Sequence, residues 1–272
     1  MVGLLLLGGC AHYPRLSLST KMRLEADTHL IDLSHMDAQP DDWVVHVVSR
    51  GGSCSGALVE SDVVLTAQHC VVDHDDPRWY YDPGDVRIEL GGDYLPWGRV
   101  GVVGIVRCPC WEHGARGDIA ALVLETPLDG VPTRRARAHA EPAANEDVLA
   151  SGYGDRNGVR TIPDTGWAVW TLNRNVRTGV TTSVGDGSFI MSGLSLPGDS
   201  GGPVLALDTG EVIGIVSRGT EGESSVDPSG NKSDAVPYTM AARIDTCAGV
   251  IARARAMARG ATASEWPSVV CR

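Results

Sequence analysis

The sequence predicts an all-β protein, a sandwich or barrel, finished by a C-terminal helix. Three observations carry this. Short Val/Ile/Leu runs recur between 43 and 219, some alternating and some continuous, each set off by Gly, Pro, Asp or Ser. Turn formers are plentiful, with Gly 33 and Pro 15, while Phe occurs once in 272 residues. The last apolar pattern, AGVIARARAMARGA (248–261), has helical spacing and should stop near Gly260.

Taken in order, the chain opens with MVGLLLLGGC (1–10), an apolar run too short to span a bilayer as a helix. It resembles a bacterial lipoprotein signal, with Cys10 as the candidate lipidated residue, although no Lys or Arg precedes Arg15. Residues 11–39 are polar and read as a tether. Strand-like text follows at WVVHVV (43–48), GALVESDVVLTA (56–67), VRIEL (86–90), RVGVVGIVRC (99–108) and DIAALVLE (118–125). A polar, Pro-containing link (126–146) leads to a second series: EDVLASGYG (146–154), TGWAVWTLNR (165–174), PVLAL (203–207) and EVIGIVSRG (211–219).

At 43% hydrophobic and 21% charged, the composition suits a soluble globular core. A net charge of −11 argues against nucleic-acid binding, which needs a basic face. The one basic run, RRARAH (134–139), reads as a solvated connector. Seven cysteines fit one anchor plus six in an oxidising compartment. Cys108 and Cys110 are too close to bridge each other without strain; pairing them with Cys247 and Cys271, in either order, is one reading and a metal site is the other. No Cys–His spacing resembles a zinc motif, and no cofactor or metal is expected.

Three local patterns carry chemistry. They are Thr66-Ala67-Gln68-His69-Cys70, the Asp118 that opens an apolar run, and Gly198-Asp199-Ser200-Gly201-Gly202-Pro203. Singly, each has a plain reading: a structural histidine, a turn aspartate, a tight turn before a strand. In the order His, Asp, Ser, with gaps of 49 and 82 residues, they closely resemble chymotrypsin/trypsin-like serine proteases. ASGYG (150–154), IVSRG (215–219) and PYTMAARI (237–244) resemble further segments of that family, so the likeness covers about 40–260.

The resemblance implies two six-stranded Greek-key β-barrels with a C-terminal α-helix, the first over 40–135 and the second over 136–272. It implies a Cys54–Cys70 disulfide holding the histidine loop. Ser200 is then the nucleophile, His69 its base, and Asp118 the group that orients the imidazole. The N–H groups of Gly198 and Ser200 form the implied oxyanion hole. Leu194, Ser217, Arg218 and Gly219 fall in the implied substrate cleft. The expected partner is a protein or peptide, cleaved by an exported monomer of bacterial type.

This chain also departs from the family. No Ile-Val-Gly-Gly segment is present to supply an amino terminus for Asp199, and Arg156 is the candidate substitute, following some bacterial relatives. Leu194 and Leu196 stand where relatives carry a specificity aspartate and a cysteine, which predicts an apolar or small residue before the scissile bond. Asp73, Asp75 and Asp76 fall where some relatives bind calcium, but read as a solvated acidic loop. His12, His29, His35, His46, His74, His113 and His139 read as surface or loop residues.

Overall fold

In a computed structural model of the chain, the described residues are 40–50, 52–73, 80–91, 93–94, 98–111, 114–154, 159–161, 168–170, 172–193, 195–220 and 237–272. The readings on Cys10, the tether, His12, His29, His35, His74, His113, Asp75, Asp76, Arg156 and Leu194 lie outside them.

Six strands form the first barrel: β1 Val44–Ser49, β2 Gly52–Glu60, β3 Val63–Thr66, β4 Arg87–Leu90, β5 Gly98–Arg107 and β6 Ala120–Leu124. Their order round the closed barrel is β1-β2-β3-β6-β5-β4. Six more form the second: β7 Asp147–Gly152, β8 Asn175–Val184, β9 Ser188–Ser192, β10 Pro203–Ala206, β11 Val212–Thr220 and β12 Tyr238–Arg243. Their order, β7-β8-β9-β12-β11-β10, repeats that of the first, so one antiparallel topology is used twice. Closure leaves neither barrel a free edge.

The pleat explains the sequence pattern. β5 alternates buried and less buried residues, because one face meets the core and the other meets water. β3 and β6 are buried throughout, and both read as continuous apolar runs. In the second core Phe189 stacks on Gly214, where an added Cβ would come within 2.4 Å of the ring. Here glycine provides room for the chain's only phenylalanine.

The helix α1, Val250–Ala258, belongs by sequence to the second half but packs on β5 and β6 of the first barrel. Val250 and Ala254 are buried in the first core, and Arg255 forms an ion pair with Glu60 of β2. Disulfides Cys108–Cys247 and Cys110–Cys271 settle the order left open above.

Two expectations need correction. His46 is buried, not a surface residue: Nδ1 lies 3.0 Å from Glu89 and Nε2 2.6 Å from the Ser53 hydroxyl. The run 134–139 is more than a solvated connector. Arg137 bonds Glu146, Glu211 and Thr209, and Arg134 lies over the Trp43 ring.

Candidate active site

β3 runs out of the first core at Thr66, and the chain turns through a short 3-10 segment, Gln68–Val71, that carries His69. The Cys54–Cys70 disulfide anchors this turn to β2, as the resemblance implied. Asp118 lies just before β6 and is 1% exposed. Its Oδ1 accepts the His69 backbone N–H at 2.9 Å, and its Oδ2 lies 2.7 Å from His69 Nδ1. The Ser217 hydroxyl donates to the same Oδ2 at 2.7 Å. An ionised carboxylate can only accept, so Nδ1 carries a proton and Nε2 of the neutral ring is left as an acceptor.

Ser200 occupies the turn before β10. Its hydroxyl donates to the Ser217 carbonyl at 3.4 Å. Among the described residues no hydrogen bond joins it to His69, whose Nε2 lies 3.8 Å from Cys70 Sγ. Such contacts are often long in the absence of substrate. Ser217 therefore touches both Asp118 and Ser200, beyond the cleft-lining place the resemblance implied.

The nucleophile turn holds its polar groups in alternation. The Asp199 N–H donates to the Leu196 carbonyl at 2.9 Å and the Gly201 N–H to the Val216 carbonyl at 2.7 Å. The carbonyls of Gly198, Asp199 and Ser200 accept from the Ser55 hydroxyl, the Gly202 N–H and the Ser55 N–H. Only the N–H groups of Gly198 and Ser200 have no acceptor among the described residues. Gly198 has φ +97°, a conformation few other residues adopt. At Gly201 a Cβ would come within 2.2 Å of both the Ser55 carbonyl and the Thr66 hydroxyl, so the turn sits directly on the first barrel.

Asp199 is 2% exposed and fully partnered. Oδ1 accepts from the Gly154 N–H at 2.8 Å and from Asn175 at 3.1 Å; Oδ2 accepts from the Leu196 N–H at 2.9 Å and pairs with Arg177. The internal arginine at Asp199 is thus Arg177 on β8, a residue that sequence reasoning passed over. Its signal in the sequence is weak, a basic residue in a Thr-rich run. Arg218 and Gly219 are exposed at the end of β11, and Arg218 Nε points to the Met240 sulfur at 3.4 Å.

A protein-family model described as Trypsin matches residues 32–251, four-fifths of the chain. The chain belongs to the trypsin family. Among trypsin-family proteins it is 29% identical to Trypsin epsilon of Drosophila erecta over 191 residues, 63% of this chain and 70% of that one. Two solved structures share the trypsin-like fold. A Glu endopeptidase in complex with MPD has a TM-score of 0.61 at 15% identity, covering 82% of this chain and 93% of its own. The scabies mite inactivated protease paralogue S-D1 has a TM-score of 0.58 at 17% identity, covering 81% and 93%. Trypsin-family membership makes this a serine-protease-type domain, one whose partners are proteins or peptides. Three disulfides suit an extracellular setting, and among the described residues no helix is long and apolar enough to cross a membrane.

Proposed function

We propose that this protein is a serine endopeptidase that forms an acyl-enzyme on Ser200. The observation that carries the reading is the His69–Asp118–Ser217 hydrogen-bond set beside a serine turn whose Gly198 and Ser200 N–H groups have no acceptor among the described residues. Ser200 Oγ attacks the scissile carbonyl carbon, and its proton passes to His69 Nε2. Asp118 accepts the Nδ1–H and stabilises the imidazolium. The Gly198 and Ser200 N–H groups donate to the oxyanion, each donor contributing about 3 kcal/mol to barrier lowering. The imidazolium then protonates the leaving amine as the C–N bond breaks. Water, deprotonated by His69, attacks the ester carbonyl and releases Ser200.

Exported monomeric protein of bacterial type, with a lipid on Cys10, belongs to the same reading. So does a preference for an apolar or small residue before the scissile bond, set by Leu194 with Ser217, Arg218 and Gly219 lining the cleft. A fluorophosphonate probe tests the reaction directly. Labelling of the wild type that disappears in Ser200→Ala supports it; an unlabelled wild type overturns it.

The second reading is a catalytically silent homologue that binds without cleaving. It is favoured by the Ser200 hydroxyl facing the Ser217 carbonyl instead of His69. In that case the probe leaves the protein untouched while a peptide ligand still binds.

A further inference from the structure

We infer that Ser55 is a positioning residue for the oxyanion hole, holding the nucleophile turn open from the opposite barrel. The inference rests on the serine-hydrolase reading of Ser200 and deepens it. Ser55 lies on β2 of the first barrel, next to the disulfide-bonded Cys54, and is fully buried. Its polar groups are all engaged, and three of the contacts reach the second barrel's side of the interface. The N–H donates to the Ser200 carbonyl at 2.7 Å. The hydroxyl donates to the Gly198 carbonyl at 2.7 Å and accepts the Tyr153 N–H at 2.9 Å. Its carbonyl accepts the Thr66 hydroxyl at 2.7 Å, which fixes the Ser55 backbone in turn.

The consequence follows from peptide geometry. An oxyanion hole needs the two N–H groups to converge while the carbonyls between them point away. Gly198 has no side chain to limit rotation of its flanking peptides, and its φ of +97° lies where glycine alone is comfortable. The Gly198–Asp199 peptide lies between the two donors, so if it turned over the Gly198 and Ser200 N–H groups would no longer converge on the developing negative charge. The Ser55 hydroxyl opposes that rotation by holding the Gly198 oxygen. It also ties Tyr153 to the turn, and the next residue, Gly154, donates its N–H to Asp199. One hydroxyl thus links the turn, the segment behind it and the strand that leads to the disulfide.

The test compares wild type with Ser55→Ala, which removes the hydroxyl but keeps the backbone bond to Ser200. Three quantities are read: kcat and KM for a peptide ester, the rate of fluorophosphonate labelling, and amide hydrogen exchange over 196–201. Melting temperature verifies folding of both proteins. The inference expects kcat and the labelling rate to fall about 10- to 100-fold, in keeping with a donor displaced but not deleted. KM should stay within about twofold and exchange over 196–201 should rise, because the loss concerns charge stabilisation and not ground-state binding. Ser55→Cys, which restores a weak donor, should recover part of kcat. A labelled wild type with kcat and labelling unchanged in Ser55→Ala overturns the inference and leaves the serine-hydrolase reading standing. An unlabelled wild type overturns that reading; exchange then decides for Ser55 alone, and an unchanged pattern overturns its positioning role too.

Discussion

Asp199 is the residue whose partners were hardest to foresee. Its neighbours Ser200 and Gly201 follow a recognisable motif, whereas its counter-charge comes from Arg177, 22 positions earlier and on β8. Burial makes that pairing consequential. Removing one member of a buried ion pair leaves an uncompensated charge, so Arg177→Ala should destabilise the fold by about 3–5 kcal/mol. Guanidinium unfolding measures this, and Arg177→Lys should retain part of the lost stability. The arginine also means that Asp199 has a cation from within the chain, so labelling of Ser200 should not require a newly cut amino terminus; intact protein that labels as fast as N-terminally trimmed protein checks this. Asp118 is a separate matter. Asp118→Asn leaves the shape of the site but favours the wrong imidazole tautomer, and kcat should fall about 10,000-fold with little change in melting temperature.

At the scale of the element, legibility followed burial. β3, β4, β5, β6, β10 and β11 were visible because their faces sort apolar from polar or are apolar throughout. β8 and β9 were not identified as strands. β8, NVRTGVTTSV, buries only Asn175 and Thr181, so hydrophobic periodicity had nothing to report. Only β-branched content and the Gly185-Asp186-Gly187 turn marked the hairpin. TGWAVWTLNR, read as one strand, contains two short pieces instead, Ala168–Trp170 and Leu172–Asn173, neither of them in a barrel. The match of Phe189 to Gly214 supplies a test on β9 and β11. Gly214→Ala or Gly214→Val must displace the aromatic ring, and overpacking of this kind should cost about 1–3 kcal/mol, more for valine. A melting-temperature series over the two variants reads it out.

For the whole molecule, the two-barrel plan came from ordered motifs, since composition and spacing alone extend only to an all-β sandwich or barrel. The candidate site was legible as three residues; the way Ser217, Ser55 and Arg177 support them was not, because each contact joins segments far apart in sequence. The same holds for Glu89. Burial pushes its carboxyl upward, but the His46 hydrogen bond and the charges of His46, Arg99 and Arg87 outweigh this and hold it at about 2. The folded value lies below the ordinary 4.5, so this group's contribution is complete above that pH and is lost as pH falls towards 2. The difference corresponds to about 3 kcal/mol. Urea unfolding at pH 7 and pH 3 should show wild type losing much of its advantage over Glu89→Gln. A last consequence belongs to α1. It covers β5 and β6 of the first barrel yet is translated after every strand of the second. On the ribosome the first barrel must therefore wait, with an uncovered apolar flank, until the far end of the chain emerges. Its final clasp is vectorially late.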